Sequence, residues 1–125
     1  MKKSKTTNYI GVGVDIEQTG RFINKKINSP LLKRIYTPEE LCYCFNKSRP
    51  HESLAGRFAA KESVKKALAI FVKQSVDHKE IEIKINGSGV PLIYVKNKLG
   101  NKFNFSLSIS HTKNMAIAFV IATLK

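Results

Sequence analysis

Two carboxylates and a lysine stand out as groups able to act on a phosphorylated substrate. Asp15 closes the run Gly11-Val12-Gly13-Val14, and Glu62 stands among Lys61, Lys65 and Lys66 in the alanine- and leucine-rich stretch 54–68. Hard oxygen donors in that number suit Mg2+, which keeps several waters and completes its shell from substrate phosphate. Lysines beside such a site would neutralise phosphate charge. Two plainer readings exist: Glu62 with Lys66 as a surface ion pair one helical turn apart, worth about 0.3 kcal/mol, and Asp15 as a helix N-cap. His111, at a hairpin turn, reads on its own as a surface or hydrogen-bonded residue. Gly11 and Gly13 lack the third glycine of a dinucleotide fingerprint, and neither a Ser/His/Asp order nor zinc spacing is present.

The elements that must position these residues follow from local pattern. Residues 9–16 read as a strand on their Ile and Val content, with glycines that signal close backbone approach. A short helix is expected over 17–24. Thr37-Pro38-Glu39-Glu40 is a capping box with proline at the first helical position, opening a helix over about 38–46. The central helix is expected from about 51–53 to 73. It does not sort into wet and dry faces, because Leu54, Phe58, Lys61, Lys65 and Leu68 share one arc. Residues 81–85 alternate as a half-buried strand, Asn86-Gly87-Ser88-Gly89 turns the chain, and 90–95 returns with Pro91 favouring an edge. Residues 103–110 alternate again, and 115–124 read as a more fully buried partner strand. The class is α+β: a largely antiparallel sheet packed with one long helix and one or two short ones.

The chain has 125 residues, 42% of them hydrophobic, with no linker or repeat, and is expected to be a single domain over 1–125. Its net charge of +13 draws polyanions, whether nucleic acid, a phosphorylated small molecule, an anionic membrane or an acidic protein. Cys42 and Cys44 are too close for an unstrained disulfide. The apolar run after the basic segment 1–7 is too short for a signal sequence, and no stretch approaches a membrane span. A cytoplasmic protein with reduced thiols is expected.

Four ordered segments also carry a resemblance. Gly11-Val12-Gly13-Val14-Asp15-Ile16 with Arg21, then Arg34-Ile35-Tyr36-Thr37-Pro38-Glu39-Glu40-Leu41, then Leu54-Ala55-Gly56-Arg57-Phe58-Ala59-Ala60-Lys61-Glu62 with Lys66, and lastly Ser108-Ile109-Ser110-His111-Thr112-Lys113-Asn114 resemble the holo-acyl-carrier-protein synthases, the bacterial-type 4'-phosphopantetheinyl transferases. The resemblance implies transfer of the phosphopantetheine arm of coenzyme A to a serine of apo acyl carrier protein, releasing 3',5'-ADP. It implies that Asp15 and Glu62 hold Mg2+, and that Lys66 lies on the phosphates. His111, Thr112 and Arg57 would contact the coenzyme, with Asp15, Glu62, Lys66 and His111 forming the catalytic set. Arg21 would meet the acidic carrier. A homotrimer with active sites between subunits is implied as well. The serine proton acceptor stays open between Glu62 and a metal-associated water held by a carboxylate. The chain departs from the family at Gln18, where a glutamate is usual, at Leu68-Ala69-Ile70-Phe71-Val72, where a glycine-rich segment is common, and at Val90, where lysine is common.

The rival from another class is a small basic RNA- or ribosome-binding domain. Against it, Phe103 and Phe105 alternate as core residues should, and no RNA-module signature is present. The chain is therefore expected to bind no nucleic acid and to insert in no membrane.

Overall fold

The computed structural model describes residues 9–125; the basic segment 1–7 read above lies outside them. Five strands and three helices are formed: β1 (Ile10–Gln18), α1 (Pro30–Ile35), α2 (Pro38–Phe45), α3 (Pro50–Leu68), β2 (Ile81–Ile85), β3 (Pro91–Val95), β4 (Phe103–His111) and β5 (Met115–Leu124). One sheet runs β1-β5-β4 and a second pairs β2 with β3, every pairing antiparallel. The α+β expectation holds.

Glycine spacing explains how β1 lies on α3. Gly11 and Gly13 face the helix, and a Cβ at either position would come within 1.9 Å of a helix carbonyl oxygen, that of Ala67 or Ser63. Only glycine permits this backbone-on-backbone approach. Strand alternation then sends the next two residues of that face, Asp15 and Glu17, along the same helix.

The mixed face of α3 has an explanation in burial. All residues from 54 to 61 are buried, Lys61 included, because sheet, α2 and β2 surround the helix. A helix enclosed on all sides needs no amphipathic stripe. The Lys61 ammonium, fully shielded, pairs with Glu40 at 2.7 Å and donates to the carbonyls of His78 (2.8 Å) and Ile81 (2.5 Å). Burial pulls its pKa down, and Glu40 opposes that shift. Glu40 closes the capping box on Thr37 (3.0 Å) and accepts from the amide of Ile83 at 2.8 Å, while Thr37 donates to Glu82 at 2.7 Å. The cap that starts α2 thus also ties it to α3 and β2.

Two expectations are corrected. The central helix ends at Leu68 rather than 73, where the amides of Phe71 and Val72 fold back on the Leu68 carbonyl. No helix starts at 17: pairing with β5 holds β1 extended to Gln18, and only Thr19–Phe22 forms a 3-10 turn. Asp15 therefore sits inside a strand and caps nothing. β5 is more fully buried than β4, as expected, but on one face. Ala116, Ala118, Val120 and Ala122 point inward, but Ile117 and Phe119 are exposed beside Val12, Val14 and Ile16.

Replacing Gly13 by alanine should force β1 off α3 and destabilise the protein by about 2–3 kcal/mol, read from the urea midpoint at unchanged slope. Lys61→Met, which strands the buried Glu40 carboxylate, should cost about 3–5 kcal/mol in the same measurement.

Candidate active site

Asp15 and Lys66 meet where β1 crosses the last turns of α3. Lys66 Nζ donates to the Val14 carbonyl at 3.0 Å and lies 3.2 Å from Asp15 Oδ1. The other oxygen, Oδ2, is buried with no hydrogen-bond partner. A buried carboxylate oxygen left bare is costly; a bound cation can relieve it, as can the neighbouring Glu17 carboxyl, which hydrogen-bonds Asp15 when protonated. Glu62 lies four residues before Lys66 on α3, about 6 Å along the axis. The expected Glu62–Lys66 pair does not form, because Lys66 turns to the strand. Glu62 Oε2 instead meets His78 Nε2 at 2.5 Å and Lys65 Nζ at 4.0 Å.

Hard oxygen donors with one bare atom fit a divalent cation of the magnesium type. Among the described residues no three His, Cys, Asp or Glu side chains are grouped to hold a metal on their own. Two carboxylates would supply part of such a shell and leave the remainder to water and phosphate.

Glu17 is a member of this cluster that the sequence reading passed over. Its carboxyl is pushed up to about 7, first by burial and then by the neighbouring Asp15, against the pull of Arg21. Arg21 Nη1 holds it at 2.8 Å, and the guanidinium carbon of Arg21 lies 4.8 Å over the Phe58 ring. The signal was available: with β1 extended, residues 15 and 17 share a face.

A second group of residues gathers at the other end of α3. A cleft of about 370 Å³ is lined by Tyr43, Lys47, Arg49, Arg57 and His111, among others, with Glu52 as its one acid. Arg57 is 5% exposed, donates to Ser53 Oγ at 3.0 Å, and stacks 4.2 Å over Tyr43, with its Nε unpartnered. Lys47 lies over the same ring at 4.4 Å. Glu52 is held by Arg49 at 2.7 Å and sits 3.7 Å from His111 Nδ1. An aromatic ring clamped by cations around a bare guanidinium nitrogen suits a ligand that is both flat and anionic. Tyr43, Lys47 and Arg49 were not singled out in the sequence, where nothing marks them from other surface residues.

Of the residues expected to act, the fold joins Asp15 to Lys66, sets Glu62 one turn earlier on α3 against His78, and gathers Arg57 with His111 in the cleft. Glu52 and Glu62 are ten positions apart on α3, about 15 Å along its axis, so one chain keeps the two groups apart. Thr112 uses its hydroxyl within the hairpin, accepting from the amides of Asn114 (3.3 Å) and Met115 (3.1 Å). Arg21 sits on the 3-10 turn after β1. That turn is pinned to the hairpin by Thr19, whose amide and hydroxyl donate to Asn114 (2.9 Å) and Lys113 (2.7 Å) carbonyls.

A family model described as the 4'-phosphopantetheinyl transferase superfamily matches residues 11–120. Similar proteins include the holo-(acyl-carrier-protein) synthase of Halothermothrix orenii, 38% identical over 119 residues that cover 89% of this chain and 94% of that one. The synthase of Chlamydia trachomatis is 42% identical over 119 residues, covering 90% and 98%. Among solved structures, the Bacillus anthracis synthase in complex with CoA (3',5'-ADP) superposes with a TM-score of 0.76 at 30% identity, over 95% of this chain and all (100%) of that one. The Helicobacter pylori synthase in complex with coenzyme A gives 0.74 at 32% identity, over 89% and 98%.

The Glu17 shift predicts a pH effect on the metal-free protein. A carboxyl whose folded pKa lies above its ordinary 4.5 adds stability below that value and loses it as pH rises through about 7. In chelator, Glu17→Gln should therefore melt above the parent at pH near 8 and close to it at pH near 4.5, followed by circular dichroism.

Proposed function

The chain belongs to the 4'-phosphopantetheinyl transferase superfamily, and from that premise we propose that it transfers 4'-phosphopantetheine from coenzyme A to a serine of apo acyl carrier protein, dependent on Mg2+ and releasing 3',5'-ADP. That it is a phosphopantetheinyl transferase follows from the family and its relatives. The observation that carries the finer reading is the bare, buried Oδ2 of Asp15 beside Lys66, a residue one helical turn after Glu62.

In this reading the serine oxygen bonds to the phosphorus of the pantetheine phosphate. The bond from that phosphorus to the bridging oxygen of the diphosphate breaks, and the hydroxyl proton is released. When bound, the magnesium ion supplies Lewis acidity and charge neutralisation at the diphosphate. Asp15 and Glu62 are the residues that hold it. Lys66, exposed at its tip and tethered to Asp15, is placed to neutralise a phosphate oxygen. The cleft around Tyr43, Lys47, Arg49, Arg57 and His111 takes the nucleotide end, with guanidinium and ammonium groups for its phosphates.

The separation of the two groups along α3 and the apolar outer face of β1 and β5 favour a homotrimer, with the cleft of one copy meeting the carboxylates of the next. Arg21, with Lys25 and Lys26 and the exposed Ile23 and Ile27 nearby, suits an acidic carrier protein, which such cations steer into place. We assign the reaction to fatty acid biosynthesis in the cytoplasm, carried out by one domain spanning 1–125. No described helix is long and apolar enough to cross a membrane. The RNA-binding alternative is disfavoured, because Phe103 is buried and Phe105 packs against the core rather than standing on a surface as a stacking platform.

Asp15→Ala and Glu62→Ala should fold yet lose at least about 100-fold in transfer, the scale on which lost electrostatic stabilisation of a transition state is felt. The intact mass of an apo carrier incubated with coenzyme A and Mg2+ gives the measurement, and near-normal conversion by either variant defeats the metal assignment. Chelation should stop the wild-type reaction and added magnesium restore it. Lys66→Ala should raise KM for coenzyme A in the same assay.

A further inference from the structure

Glu62 is held more closely from outside its helix than by Lys65, 4.0 Å away on α3. The residue that reaches it, His78, comes from the 3-10 turn His78–Glu80 that leads into β2. That turn is fixed in three ways. Lys61, the residue before Glu62, projects inward and donates to the carbonyls of His78 (2.8 Å) and Ile81 (2.5 Å). The turn is closed on itself by Asp77 and Glu80, whose backbone and side chain exchange hydrogen bonds at 3.0 and 3.2 Å. The imidazole then lies against Phe58, one helical turn before Glu62, with ring centroids 5.3 Å apart and planes 27° from parallel. With backbone and ring plane both set, Nε2 falls 2.5 Å from Glu62 Oε2.

Resting on the reading of Glu62 as a metal ligand, we propose that His78 is its positioning residue: it binds one carboxylate oxygen and presents the other to the divalent cation. The same pattern occurs at Asp15, where Lys66 takes Oδ1 and Oδ2 stays bare. A free glutamate at a half-exposed position samples many rotamers, and ordering it on binding costs entropy. A partner that orders it beforehand removes that cost. Partners of this kind change metal affinity by about 10–100-fold when removed. The buried Lys61–Glu40 pair acts one step further back, by holding the turn that carries His78.

Two variants separate positioning from packing. His78→Phe keeps a ring to stack on Phe58 but has no nitrogen, whereas His78→Gln keeps an amide donor near the place of Nε2. Mn2+ binding is followed by electron paramagnetic resonance on the full chain with coenzyme A present and carrier protein absent, and melting is recorded on the same samples. His78→Phe should bind Mn2+ about 10-fold more weakly, and His78→Gln should stay within about threefold of the parent. In turnover, His78→Phe should raise the Mg2+ concentration needed for half-maximal rate while kcat at saturating Mg2+ is retained. Wild-type Mn2+ affinity in His78→Phe, or equal weakening of both variants in step with their melting temperatures, overturns the proposal. Glu62→Gln is the reference: if it binds Mn2+ as the parent does, the metal reading falls and the positioning role with it. If it binds weakly while His78→Phe does not, the positioning role alone falls.

Discussion

The distance between the backbone of β1 and the backbone of α3 governs everything at the site. Two side-chain-free positions, Gly11 and Gly13, let the strand settle against the carbonyls of Ala67 and Ser63. Had that approach been a normal side-chain layer wide, a short carboxylate at position 15 could not share space with groups on the helix. Lys66 confirms the closeness by bridging to both the Val14 carbonyl and the Asp15 carboxylate. Close packing thus does what a longer acidic side chain would do less rigidly, and it does so from two regular elements, which hold geometry better than loops.

The pair Lys61-Glu62 divides labour across one peptide bond. Lys61 turns into the interior, where its charge is met by Glu40 and by two carbonyls. A buried ion pair contributes little net stability over an apolar filling, so its value here lies in placement. It joins α2, α3 and the turn before β2 at one point. Glu62, the next residue, looks out over that same junction. Removing Lys61 would loosen the wall against which Glu62 is set, so the packing of Lys61 and the placement of Glu62 are not independent.

Much of this was legible in the sequence. The capping box at Thr37 and Glu40, the alternation of 81–85 and of 103–110, and the glycine signal in β1 each depend on local rules and were read correctly. What escaped depends on contacts distant along the chain. Nothing near Glu40 shows that its cap also neutralises Lys61, twenty-one residues on. His78 is sixteen residues from Glu62, in a stretch whose composition reads as loop. Glu17 was misjudged for a different reason: residues 17–24 read as a short helix, though Thr19 and Gly20 weaken it, whereas nine consecutive pairs with β5 prolong the strand. Tertiary pairing outweighed local propensity there.

The outer face of the three-stranded sheet follows from the same alternation that builds the site. Every inward residue of β1 is a glycine or an acid, so the outward ones, Ile10, Val12, Val14 and Ile16, carry the strand's apolar character. On β5 the inward positions are small, Ala116, Ala118 and Ala122 with Val120, because the helix presses close, and the bulk of Ile117 and Phe119 again faces out. Cross-strand register sets Val14 beside Phe119 and Ile16 beside Ile117. β4 breaks the pattern, with Ser106, Ser108 and Ser110 outward. An apolar patch bordered by hydroxyls is what a contact between copies requires. The demand for a thin layer under α3 therefore has two products, a rigid carboxylate site inside and an apolar surface outside. In the proposed trimer the second would deliver a neighbour's cationic cleft to the first.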